Sequence, residues 1–249
     1  MRDSLGSGHH VTLSQAVDAL YVASASHSRP ARIDDSYGPL DPGVAQRVMT
    51  VPLHDVAPAD MEALFSVLFD DEQAFAHFFP RYIELAARLD LPFQWPDLPF
   101  ILEKARRLTL LADPPVVAAT KRVLECLWEA VLTKSLIPHT VDGILLGFAW
   151  LEGSVQAQLD AWMAVRSLAG QVNVAEYVLS NLETLRTRRR LRNCEDWKDR
   201  PQCEIEVGEW LRSRALADRI CDLARTTGEE RLVEACAGLR DLHTAPTFH

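Results

Sequence analysis

At 249 residues, with 48% apolar and 24% charged side chains, the chain has an ordinary globular composition. Its length is enough to bury roughly 70–75% of the surface that the unfolded form exposes. A formal charge of −9 argues against a general nucleic-acid or anionic-membrane binder, because neutralising phosphates takes a basic footprint. No apolar run approaches the ~18–20 residues of a membrane span, and the opening MRDSLGSGHHVTLSQ lacks the apolar centre of a secretory signal.

Residues 1–12 are expected to form a flexible end. TLSQAVDALYVASASH then opens on a capping box, Thr12 with Gln15, and sets Leu13, Val17, Leu20 and Tyr21 on one helical face. SRPARIDDSYGPLDPGVAQ is rich in Pro, Gly, Asp and Ser and reads as a long loop. Asp55 is placed to cap a helix starting near Pro58 and running to about Phe69, after which Asp70 and Asp71 punctuate the chain. EQAFAHFFPRYIELAARL follows. A second loop, DLPFQWPDLP, leads into FILEKARRLTLL.

Asp113 before Pro114 is a helix start with a mechanism: a side-chain acceptor at the cap, then a ring whose missing N–H is an orphan in any helix. Beyond it, Val116, Val117, Val123, Leu124, Leu127, Trp128, Val131 and Leu132 form a wide apolar stripe. Further helices are expected at about 140–151, 155–168 ending at Gly170, 174–187 capped by Asn173, 204–225, and 229–240 after Gly228. No segment alternates with period two between turn signals, so no strand is expected. The fold class is therefore all-α: about ten helices in antiparallel pairs, as an irregular bundle or a HEAT-like solenoid. Residues 13–242 are expected as one domain and 243–249 as a flexible end. A compositional shift near 186–203 is the best place for any boundary.

Motifs for nucleotide binding (G-x-x-x-x-G-K-[ST], G-x-G-x-x-G), zinc hydrolysis (H-E-x-x-H) and serine nucleophiles (G-x-S-x-G) are absent. Five cysteines, an odd number at wide spacings, read as reduced thiols in a cytoplasmic protein. Asp34, Asp35 and Asp41 supply loop carboxylates of the kind that hold hard cations. Their spacing does not match an EF-hand, and turns use the same residues, so neither metal nor cofactor is expected.

The run RTRRRLR, holding Arg186, Arg188, Arg189, Arg190 and Arg192, has the guanidinium density of a clamp for phosphate or an acidic partner. The following NCEDWKDRPQCEIE offers internal acidic partners. Trp128, Trp150, Trp162 and Trp210 fall at helical spacing and read as core. Trp95 and Trp197 fall in expected loops and read as surface anchors. The partner-binding set is Trp95, Arg188, Arg189, Arg190, Asp196 and Trp197.

AFAHFFPRYIEL carries two signals at once. Phe75, Phe78, Phe79, Tyr82, Leu85 and Ala86 make an apolar stripe. His77, Arg81, Glu84 and Arg88 fall opposite and read as a solvated face. Pro80, costing ~3 kcal/mol inside a helix, reads as the first turn of a new one.

This stretch resembles the [FH]-[FL]-L-P-R-[IY]-[LI]-E-L core of a family of uncharacterised, largely helical bacterial proteins, with Phe79, Pro80, Arg81 and Glu84 as the matching positions. LSQAVDALYVASASHSRPARI, LTLLADPPVVAATKRVLECLWEAVL, GFAWLEGSVQAQLDAW and EIEVGEWLRSRALADRI resemble the family's other segments in order. Where the family often carries a C-x-x-C-like pair, this chain has IDDSYG. The resemblance implies a helical fold and a bacterial, cytoplasmic setting, and no particular reaction.

The expected function is non-enzymatic binding of another protein. Its most concrete form is an immunity protein whose acidic surface neutralises a cognate toxin with a basic domain. The alternatives are an enzyme centred on His77, Arg81, Glu84 and the Asp34/Asp35 loop, and a nucleic-acid binder using Arg186 to Arg192. No catalytic residue is assigned.

Overall fold

The computed structural model describes residues 11–33, 38–68, 71–88, 97–136 and 138–244. Every regular element among them is helical. The twelve α-helices are α1 (Leu13–Ala23), α2 (Pro42–Thr50), α3 (Pro58–Val67), α4 (Glu72–Ala86), α5 (Leu98–Arg107), α6 (Pro114–Thr133), α7 (Pro138–Glu152), α8 (Gln156–Ala164), α9 (Leu168–Thr187), α10 (Pro201–Leu211), α11 (Arg214–Thr227) and α12 (Glu230–Thr244). The all-α expectation holds. The helices form two compact units: residues 1–96 with 107–126, and residues 97–106 with 127–249. The units do not divide at 186–203.

Local signals explain most starts. Thr12 and Gln15 form the reciprocal capping box of α1. Asp41 accepts from the N–H groups of Gly43 and Val44, so the supposed loop after Arg32 contains α2. Asp41–Pro42 is the same start signal as Asp113–Pro114. Asp55 caps nothing: it ends a short 3₁₀ turn, and Ala57 precedes Pro58 without a side-chain cap.

In the first unit α4 is the centre. Asp71 caps it, and Pro80 lies inside one continuous helix, which corrects the expected junction. Phe75, Phe78, Phe79 and Tyr82 are fully buried, with Phe75 stacked on Tyr82 at 5.8 Å between ring centres and Phe65 edge-on to both. Each such burial stabilises by ~1.5–3 kcal/mol. Together they outweigh the ~3 kcal/mol of an internal proline. Nearby, Arg47 grips Asp60 through two bonds of 2.6 and 2.8 Å, joining α2 to α3 and holding the Asp60 carboxyl below the ordinary range.

In the second unit α7 is the core. Residues 141–150 are all buried, including Asp142, whose two carboxylate oxygens accept from Tyr177 Oη (2.7 Å) and Asn193 Nδ2 (2.8 Å). Trp162 sits against Trp128, Tyr177 and Trp210, the last stacked at 5.4 Å. Trp128, Trp150, Trp162 and Trp210 are core, as their spacing indicates.

Two expected boundaries move. Ser167 caps α9 through Gly170 N, so that helix starts six residues before Val174 and runs through Gly170. Asn173, expected as its cap, instead closes the end of α6: its amide donates to the carbonyls of Val131 and Lys134 and its oxygen accepts from Leu136 N. The segment 204–225 is two helices, broken where Ser213 caps α11.

The last three long helices form a layer. Glu176 pairs with Arg231, Leu182 touches Gly238, and Arg186 reaches Asp241, so α9 and α12 run parallel. The α11–α12 link turns at Gly228 (φ +68°), a left-handed position that suits glycine, and the two helices run antiparallel. A disulfide joins Cys221 to Cys236 across them, which corrects the expectation of five reduced thiols. The hairpin brings their Cα atoms to 4.9 Å, within bonding range. His243 and Thr244, expected in a flexible end, belong to α12; residues 1–10 and 245–249 of the expected ends lie outside the described residues.

Candidate functional site

The α4 polar residues are the first candidate. Arg81 is buried at 7% exposure, not solvated. Its Nε and Nη2 donate to the Val56 carbonyl at 3.1 and 2.8 Å, and its Nη1 pairs with Glu84 Oε2 at 2.7 Å. The same carboxylate oxygen accepts from Tyr21 Oη at 2.6 Å. Burial and this bond push the Tyr21 hydroxyl well above its ordinary range. Arg81 and Glu84 thus lock α4 to α1 and to the turn before α3.

His77 lies one turn away. Its Nδ1 bonds the His27 carbonyl at 3.0 Å, and burial lowers its pKa. The Nε2 atoms of His27 and His77 are buried without a hydrogen bond among the described residues. His27 Nε2 stands 4.0 Å from Asp113 Oδ2. Asp34 and Asp35, the carboxylates expected to join this group, lie outside the described residues, and Asp41 serves as a helix cap. Among the described residues no three His, Cys, Asp or Glu side chains gather as a metal site.

The arginine run is the second candidate. Arg190 forms a fork with Glu204 at 3.0 and 2.9 Å, and Arg186 reaches Asp241 and the Gly238 carbonyl. Arg188, Arg189 and Arg192 are exposed at the end of α9, with Arg189 in the left-handed region (φ +55°). Asp196 is exposed. Trp197 is completely buried, so it is a core residue and not a surface anchor. Its flanking charges gave the segment the look of a solvated loop; the chain instead folds this ring inward. Trp95 lies outside the described residues.

Two open grooves on the α9–α11–α12 layer were not anticipated. One, of about 400 Å³, lies between α9 and α12 and is lined by Glu176, Glu183, Glu234, Arg186 and Arg231. Arg231 is held by both Glu176 oxygens and by Glu234. The other, of about 710 Å³, lies between α11 and α12, with Arg214, Asp218, Asp222, Arg225, Arg240 and His243 at its walls and Cys221 in its floor. Helical spacing was the available signal: positions 214, 218, 221, 222 and 225 share one face of α11. The two cysteines stand almost equally far on either side of Gly228.

The chain matches no protein-family model, no curated protein and no solved structure. The likeness drawn from Phe79, Pro80, Arg81 and Glu84 therefore rests on those residues and the segments that accompany them. No helix among the described residues is long and apolar enough to cross a membrane.

Proposed function

We propose that this chain is a non-enzymatic protein-binding protein, in its most concrete form an immunity protein that occupies the basic surface of a cognate toxin. The observation that carries this reading is the α9–α12 groove, where Glu176, Glu183 and Glu234 outnumber two arginines. Arg231 pairs with Glu176 and Glu234, so three carboxylates against two guanidinium groups leave the groove with one net negative charge. With the chain at −9, this groove offers a basic partner both complementary charge and a concave seat.

The enzymatic alternative is weaker because Arg81 and Glu84 are committed to holding α4 in place. Nucleic-acid binding through the arginine run loses Arg190 to Glu204 and Arg186 to Asp241. A cytoplasmic setting belongs to the proposal; the Cys221–Cys236 bond weighs against it, since disulfides are rare in reducing compartments.

The test is co-expression with the product of the neighbouring gene, followed by size-exclusion chromatography and a growth-rescue assay. A complex that Glu183→Arg with Glu234→Arg dissolves supports the reading. No complex and no rescue overturns it.

A further inference from the structure

We propose that the groove between α11 and α12 binds a compact phosphate-type oxyanion at the end formed by Arg214, Arg240 and His243. This groove is distinct from the acidic one, and the inference does not depend on the protein-binding reading.

The charges along the groove are not evenly satisfied. At one end Arg225 pairs with Asp222 at 2.8 Å and neutralises itself. At the other, Arg214, Arg240 and His243 have no hydrogen-bond or ion-pair partner among the described residues, and Asp218 is the carboxylate that shares their walls. That end of the open groove holds two guanidinium groups and an imidazole against one carboxylate.

The hairpin fixes their register. The Cys221–Cys236 bond pins the two helices at one level. Arg214 lies about two turns before Cys221 on α11, and His243 about two turns after Cys236 on α12. Antiparallel packing therefore sets Arg214 level with His243, with Arg240 one turn inward on the same face as His243. The bond fixes the level of the two backbones, so the three residues stand at one end of the groove before any ligand arrives.

Two observations select the ligand class. Two guanidinium forks and an imidazole supply more donors and more positive charge than a single carboxylate needs, and the fork geometry matches phosphate oxygens. Asp218 and Asp222 spaced along the same wall repel a long polyanion such as nucleic acid, so the anion that fits is short.

The experiment is isothermal titration of the full-length protein with inorganic phosphate at low ionic strength, with sodium chloride as the matched control. Expected are saturable one-to-one binding and weakening of about tenfold in Arg240→Gln and in Arg214→Gln, the loss of one charge-assisted contact. Arg186→Gln, in the other groove, should bind as the native chain does. Circular dichroism checks folding. Should either glutamine variant fail to fold, His243→Gln, at the exposed end of α12, reads the same site. Absence of saturable phosphate binding overturns the proposal. So do equal losses in Arg186→Gln, which mark diffuse charge attraction, and unchanged affinity in folded Arg240→Gln and Arg214→Gln.

Discussion

Arg81 donates twice to the carbonyl oxygen of Val56, a residue 25 positions earlier in the chain. The same guanidinium neutralises Glu84, which in turn receives Tyr21. Arg81→Met removes the donors and leaves a half-buried carboxylate without its cation. The expected cost is about 3 kcal/mol in urea unfolding. Arg81→Lys restores the charge but not the fork, and should recover only part. Equal stability of Arg81→Met and the native chain would refute the assignment.

His77 makes the first unit acid-sensitive. Burial depresses its folded pKa below the usual 6.5, so well above that pH both folded and unfolded forms are largely uncharged there and the penalty is small. As pH falls below 6.5 the unfolded state takes up a proton that the folded state resists, and stability declines until the folded pKa is passed. Urea midpoints measured from pH 7.5 down to 5 should fall more steeply for the native chain than for His77→Gln. Parallel curves would count against this source of sensitivity.

Gly170 and Gly238 should differ in their tolerance of alanine. A Cβ at Gly170 overlaps the Leu132 backbone carbonyl and Val165 Cγ2. That carbonyl cannot step aside without moving the end of α6, so Gly170→Ala should cost about 1–3 kcal/mol. At Gly238 the overlap is with Leu182 Cδ1, the tip of a side chain that can rotate. Alanine gains up to about 1 kcal/mol of helix propensity at either position, so the clash partner decides and Gly238→Ala should be markedly milder. Thermal melts of the two variants decide; the reverse order would contradict the packing described.

The Cys221–Cys236 bond closes a segment of 15 residues. In the chain-entropy account a loop of that size is worth about 3 kcal/mol. Guanidinium unfolding with and without dithiothreitol should show that loss, and Cys236→Ser should reproduce it without reductant. No change on reduction would mean that the α11–α12 packing alone sets the hairpin.

The helices were legible because their signals are local. Thr12 with Gln15, and Asp113 before Pro114, announce their starts within four residues. Asp41 before Pro42 says the same thing but is surrounded by Gly and Pro, which made the whole stretch read as loop. What the sequence could not place was the destination of polar side chains. Arg81 looks solvated on a helical wheel, and only the fold supplies Val56 and Tyr21 as neighbours. Trp197 misleads in the opposite direction, with charged neighbours around a buried ring. The grooves needed pairings among α9, α11 and α12 that no single helix reveals.

The order of the chain through the two units has a practical result. Residues 97–106 belong to the second unit, although 107–126 return to the first. Consequently no single cut frees either unit whole. A fragment ending at residue 96 lacks the stretch that opens α6, and one beginning at 127 lacks α5. Truncations meant to map an activity onto one half will report damaged folding, whereas surface substitutions leave both units intact.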